Sequence, residues 1–381
     1  MQTNKVHISS CESYSLDEVT ASIRACFDSF GGVEAVIGRG KRVAVKPNLV
    51  TKRKPEQAVN THPVMLEALT HILAEYGNTV LLAESPGGFY TEGALRSSYK
   101  FNGFEEAALR CGAVLNYDTS VTEVAYLDGE ICKKLNIISP IIEADCVISL
   151  ARLKTHAMCY LSAGVKNLFG CVGGTEKFEM HARYSDNSVF ANMLLDIYGL
   201  VKPQFTIVDA VTAMEGNGPT SGFPRDVGCI VASDNGCAAD LVCSRMVGYA
   251  DTDVPMIVHA LRRGLCGEPE LIGADIGAYT TPDFKKPDSF YSDPALLLGI
   301  FDPKLLKPFE PRPVVHKGQC TGCGVCKDSC PVKTIEIKSA KAIIHRDKCI
   351  KCYCCQELCP SKAVGIRKSI FGRRTRNKTK I

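Results

Sequence analysis

The sequence predicts a large α/β domain with a mostly parallel sheet covered by helices, and a small α+β domain at the C-terminus. Three observations predict it. Short apolar runs alternate with amphipathic helical patterns over most of the chain. A stretch bearing Pro303, Pro308, Pro311 and Pro313 then breaks the alternation. Beyond it, nine of the 20 cysteines crowd between residues 320 and 359. The 381 residues are too many for one typical domain. The implied division is an α/β domain over 1–305, a Pro-rich linker over 306–315, a cysteine-rich domain over 316–368 and a basic tail over 369–381.

The elements follow in order. Ser15 and Glu18 make a capping-box pattern, and Val19, Ile23, Cys26, Phe27 and Phe30 repeat behind it at helical spacing until Gly31-Gly32. Arg42–Val45 is a short strand. Thr61 is placed to cap the next helix, with Pro63 in its first turn and Met65, Leu66, Leu69, Ile72 and Leu73 as its buried stripe. Thr79–Ala83, Val114-Leu115, Cys146–Leu150, Phe205–Val208 and Gly228–Ala232 read as further apolar strands, with a helix over Gly103–Arg110 among them and another over Gly236–Val247 after the last.

Composition narrows the setting. A net charge of +4 does not call for a nucleic-acid partner, and no apolar run is long enough for a membrane span. The opening residues lack the apolar core of a secretory signal. Eleven cysteines are scattered outside the block with no C-x-x-C among them, which suits free thiols in a reducing, cytoplasmic compartment better than a disulfide scaffold.

Within the block, Cys320, Cys323, Cys326 and Cys330-Pro331 form one run, and Cys349, Cys352, Cys355 and Cys359-Pro360 form a second. Each position recurs 29 residues on, so the block is an internal duplication. Three thiolates on one tight loop can cap three corners of an iron–sulfur cubane, and the fourth corner needs a cysteine from elsewhere. Structural zinc is the alternative, but zinc ribbons use paired C-x-x-C motifs without the third cysteine or the trailing Cys-Pro. Cys354, inside the second run, reads as a packed thiol. The runs resemble those of bacterial two-cluster ferredoxins. That resemblance implies two [4Fe–4S] clusters in a ferredoxin-like domain with crossed fourth ligands. One would be held by Cys320, Cys323, Cys326 and Cys359, the other by Cys349, Cys352, Cys355 and Cys330.

A second signal lies at the ends of the apolar strands. Lys46 and Asn48 follow Val45, Glu84 and Ser85 follow Ala83, Arg152, Lys154, Thr155 and His156 follow Leu150, and Asp209 follows Val208. Open parallel sheets bind ligands just beyond the carboxyl ends of their strands, so these side chains are expected to share one site. The glycine-rich stretch Gly164–Gly174 contributes Lys166 and Asn167, with Lys177 and His181 beyond it. It is no Walker A loop, because no Gly-Lys-Ser/Thr follows at the required spacing. The lysines favour an anionic substrate such as a carboxylate or phosphate. His156 and His181 are candidate acid–base groups or packed structural histidines. Glu215-Gly216-Asn217-Gly218-Pro219 reads as a tight turn whose Glu215 and Asn217 could reach the site.

The segments Val45–Val50, Thr61–Pro63, Ala83–Gly88, Leu153–His156, Gly164–Gly170 and Glu215–Pro219 resemble the domain of unknown function 362 family, whose members often carry a C-terminal two-cluster ferredoxin module. The resemblance covers roughly residues 40–250 and 316–360 and implies a site at these positions without assigning roles. Three functions remain open: an oxidoreductase passing electrons to an anionic substrate or second cofactor on the α/β domain, an electron-transfer protein whose α/β domain docks a redox partner, and a non-redox enzyme with structural or sensing clusters. A homo-oligomer is compatible with each.

Overall fold

The computed structural model describes residues 4–290 and 310–368. Its strands are β1 (Lys5–Ser10), β2 (Arg42–Pro47), β3 (Thr79–Leu82), β4 (Val114–Leu115), β5 (Val121–Ala125), β6 (Lys134–Ile138), β7 (Cys146–His156), β8 (Tyr160–Ser162), β9 (Phe205–Glu215), β10 (Phe223–Ser233), β11 (Glu270–Gly273), β12 (Arg312–Val315), β13 (Ile335–Lys338), β14 (Lys341–Ile344) and β15 (Val364–Arg367). Among the described residues nine strands form the main sheet in the order β11-β1-β10-β9-β7-β2-β3-β4, with β8 paired to β7. The half from β9 to β4 is parallel, as the buried apolar strands with helical crossovers require. The other half is mixed: β10 runs antiparallel to both β9 and β1. Apolar content cannot reveal strand direction, which is why the sequence shows only the parallel part.

Helices cover both faces. Leu16–Asp28 and Pro63–Ala74 pack on one side, burying Val19, Ile23, Phe27, Met65, Leu66, Leu69 and Ile72 against Val43, Val45, Ile148 and Ile207. The helices Asn187–Val201 and Gly236–Met246 bury Leu194, Leu195, Leu241 and Val242 with Val208 and Val231 in a second apolar cluster. Ser15 caps the first helix, its Oγ accepting from the Glu18 N–H at 3.3 Å. Thr61 does not cap the second. His62 takes the N-cap position, while Thr61 Oγ1 donates to the Leu150 carbonyl (2.8 Å) and accepts from the Asn48 N–H (2.9 Å). Thr61 thus ties the end of β2 to the middle of β7.

Three strands overrun their apolar cores. β2 continues through Lys46, β7 through Arg152, Lys154 and His156, and β9 through Asp209 to Glu215. The polar side chains therefore sit on strands, where pairing fixes their directions more tightly than a loop would.

The C-terminal unit has two small antiparallel ladders, β12–β15 and β13–β14, around a cysteine-lined core. Arg312–Val315, read as the end of the linker, is a strand because it pairs with Val364–Arg367. The segment 306–309, Pro303, Pro308 and the basic tail 369–381 lie outside the described residues. The unit packs on the large domain. Arg53 donates to the Cys359 carbonyl (3.3 Å), Thr220 to the Glu357 carbonyl (2.8 Å), and the Gln356 side chain to the Asn217 carbonyl (2.9 Å). Tyr353, Cys352 and Cys354 join the apolar cluster of the large domain. Among the described residues no helix is long and apolar enough to cross a membrane.

Candidate functional site

Both cysteine runs fold around small cavities. Cys320, Cys323, Cys326 and Cys359 line one of about 300 Å³. Cys330, Cys349, Cys352 and Cys355 line another of about 310 Å³, with Cys354 in its wall. In each, three thiols come from one run and the fourth from the other. Among the described residues no three Cys, His, Asp or Glu side chains are placed to hold a single metal ion. The thiols instead surround a volume, which is the donor arrangement a cubane cluster needs. Backbone N–H groups of Ala342, Thr334 and Ala363 point at the sulfurs of Cys320 (3.4 Å), Cys330 (3.4 Å) and Cys359 (3.2 Å). Such donors stabilise thiolate charge.

A larger cavity, about 660 Å³ of empty space counting its solvent-open mouth, opens where β2, β3 and β7 meet the Gly164–Gly174 stretch. Lys46, Asn48, Glu84, Ser85, Lys154, His156, Lys166, Asn167, Lys177 and His181 all line it. Arg152 and Thr155, also expected there, do not, and neither do three further residues. Asp209 is buried in an ion pair with Arg152 (2.8 Å) and accepts from the Tyr14 hydroxyl (2.7 Å) and the His62 N–H (3.2 Å). Glu215 accepts from the Lys285 N–H (3.0 Å). Asn217 donates to Asp288 (2.9 Å) and holds the C-terminal unit through its carbonyl. These three build the frame around the cavity rather than its lining.

The lining residues divide by how their polar atoms are used. Lys46 Nζ is saturated by Glu84 (2.7 Å), the Pro47 carbonyl (2.7 Å) and Asn167 (3.2 Å). Burial raises the Glu84 carboxyl while Lys46 pulls it back, and the Leu49 N–H at 3.2 Å adds a donor. Gly170 presses against this pair: a Cβ there would run into Glu84 Oε1 and approach Lys46 Nζ to 2.8 Å. Lys154 donates to Asn48 Oδ1 (2.5 Å) and the Val59 carbonyl (2.7 Å), leaving one N–H for the cavity. Burial, with Lys166 nearby, lowers its pKa well below the ordinary lysine value. Lys177 donates to Ser85 Oγ (2.7 Å) and the Val172 carbonyl (2.8 Å), and burial brings it down to about 8. Among the described residues the Lys166 side chain makes no hydrogen bond or ion pair; its ammonium lies 5.4 Å from the Phe169 ring centroid.

His156 is held in one tautomer. Its Nδ1 accepts from the Met158 (3.0 Å) and Cys159 (3.2 Å) N–H groups, so the proton sits on Nε2. Burial and the nearby Lys166 keep the ring neutral. Nε2 is buried without a hydrogen-bond partner, 3.7 Å from a carboxylate oxygen of Glu357. His181 stacks on Phe190 with centroids 4.5 Å apart, and burial drives its pKa down to about 3. Burial pushes the Cys159 and Cys171 thiols up to about 11 and 12, as packed thiols require.

The sequence did not point to Cys354, Glu357 and Leu358, which close the cavity from the C-terminal unit. Cys354 borders both this cavity and that of Cys330, Cys349, Cys352 and Cys355.

The turn Gly164–Asn167, which carries Lys166 and Asn167, is pinned by Asp240, whose carboxylate accepts from the Gly164 (2.6 Å) and Val165 (3.2 Å) N–H groups. Burial raises Asp240 to about 7 from an ordinary 3.8. Between those values the folded state binds more protons than the unfolded one, so stability falls as pH rises from about 4 to about 7. Asp240→Asn is expected to flatten that part of a stability-against-pH curve from denaturant unfolding; an unchanged slope would show that Asp240 is ionised throughout.

The family model for the domain of unknown function 362 matches residues 43–245. The chain belongs to this family. A 4Fe–4S dicluster domain matches residues 312–360, which gives the C-terminal unit an iron–sulfur electron-transfer role. The thylakoid-associated protein sll1697 of Synechocystis sp. is 30% identical over 259 residues, covering 67% of this chain and 78% of its own. Among solved structures, the lactate racemase apoprotein from Thermoanaerobacterium thermosaccharolyticum overlaps at a TM-score of 0.40 and 12% identity, over 62% of this chain and 56% of that one.

Proposed function

We propose that the chain is an iron–sulfur oxidoreductase that reduces a small anionic substrate in the 660 Å³ cavity. The supporting observation is that Cys354 walls both this cavity and that of the second cysteine set. Cys320, Cys323, Cys326 and Cys359 would hold one [4Fe–4S] cluster, and Cys349, Cys352, Cys355 and Cys330 the other. When bound, each cluster takes up and releases one electron. Two electrons and two protons reduce one double bond or carbonyl. The electrons come from a one-electron redox protein, and the exposed Cys323 marks the side where it docks. The cysteine-rich make-up suits a reducing compartment such as the cytoplasm.

The cavity residues take distinct parts. Lys166, with its charge unspent, holds an anionic group. His156 is neutral and donates from Nε2–H, so it stabilises developing negative charge rather than giving up a proton. Lys154, whose acidity burial raises, supplies one proton and water the other. Lys46, Glu84 and Asn167 hold the floor in place.

The test is anaerobic. Reconstituted protein is reduced, and reoxidation is followed near 400 nm as small unsaturated carboxylates and keto acids are added. Saturable acceleration is expected, and Lys166→Ala should lower its kcat/KM about tenfold or more. Reoxidation indifferent to every such acceptor, or to Lys166→Ala, would refute the assignment.

A further inference from the structure

The charges in the cavity fall into two poles. One is Lys166, whose charge acts on the unpartnered His156 and on Lys154 with its third N–H. The other is Lys177, anchored to Ser85 and the Val172 carbonyl, with no carboxylate in salt-bridge contact among the described residues. The same cavity is lined by Lys46–Glu84, an ion pair that cancels its own charge. Lys154 and His156 feel Lys166, which is not among the charges acting on Lys177; Glu84 reaches both Lys154 and Lys177.

Three of the four cavity lysines thus lack a bonded carboxylate, and Glu357 can offset only one of them. Burying cations without counter-charge is costly, so the missing negative charge belongs to the ligand. A single compact dianion would satisfy one pole and leave the other bare.

From this geometry we infer that the substrate is a small dicarboxylate, one carboxylate at Lys166 and the other at Lys177, with the reducible bond between them beneath Lys154 and His156. This rests on the proposed use of the cavity as an anion site, and it adds the number and separation of the charges. The depressed Lys177 is what a cation awaiting its partner shows, since a carboxylate bound there would draw its pKa back up. The Ser85 hydroxyl and the Gly174 N–H (3.0 Å from it) fix that pole to the mouth of the glycine-rich stretch.

Calorimetry on the oxidised holoprotein at pH 7.5 (roughly where Lys177 still carries most of its charge) tests this with ligands that cannot be reduced. Succinate, glutarate and adipate are compared with butyrate and with methyl phosphate. At least one dicarboxylate should bind about tenfold or more tightly than butyrate. Lys166→Met and Lys177→Met should each remove that advantage, while circular dichroism and cluster absorbance stay as in the parent. Equal affinity for butyrate and all three dicarboxylates, tighter binding of methyl phosphate, or no binding of any of them would overturn the inference. Dicarboxylate binding without reoxidation by unsaturated dicarboxylates would retain it and refute the redox function. Reoxidation by monocarboxylates alone would do the reverse.

Discussion

Cys359→Ala is expected to erase the cluster of the first cysteine run, although Cys359 belongs to the second. The thiol of Cys359 lines the cavity of Cys320, Cys323 and Cys326, and Cys330 lines the other. Iron per chain should fall from about eight to about four. The electron paramagnetic resonance signal left after reduction should superimpose on that of Cys323→Ala. Cys330→Ala should instead match Cys349→Ala. A Cys359→Ala signal matching Cys352→Ala would mean that each run closes on itself. The crossing has a structural cost if removed: Ala363 N–H points at the Cys359 sulfur and leads into β15, which pairs with β12, so the loss of this thiol also loosens the unit's outer ladder.

The second large effect concerns stability. Asp209→Ala is expected to cost about 3–5 kcal/mol in denaturant unfolding, a large share of what a domain of this kind has to lose. Asp209 is fully buried and accepts from Arg152, the Tyr14 hydroxyl, the His62 N–H and the Val211 N–H. Its removal strands the equally buried Arg152 guanidinium, whose other hydrogen bonds among the described residues go only to the Asn60 and Thr212 carbonyls. The paired variant Arg152→Met with Asp209→Leu should recover most of the loss, because two apolar side chains leave no unpaired charge. If the single variant is as stable as the parent, the pair is not what holds β7, β9 and the loop before Pro63 together.

These two sites show how far the sequence could be read. The duplicated cysteines were legible because ligand spacing on one loop is a local property. The parallel half of the sheet was legible because strands buried on both faces must be apolar throughout. Lys46, Glu84 and Lys154 were expected together because each follows an apolar strand, while Lys166 and Lys177 rested only on the glycine-rich stretch. Asp209 was misjudged because a carboxylate after an apolar run looks the same whether it meets solvent, a ligand or a buried arginine. β7 and β9 were cut short for a related reason. Charged residues end an apolar pattern, yet the strands continue where each charge finds a partner on a neighbouring element. Glu357 and Cys354 left no signal, since their role depends on one unit leaning on another far away in sequence.

That last contact, Glu357 beside His156 with Leu358 against Gly87, bears on how the protein can be taken apart. The boundary between sequence modules runs along one wall of the cavity. A truncated α/β half would be a room with one wall missing, and a foreign ferredoxin grafted in its place would bring the wiring without the wall. The two modules are separable as text and inseparable as a machine.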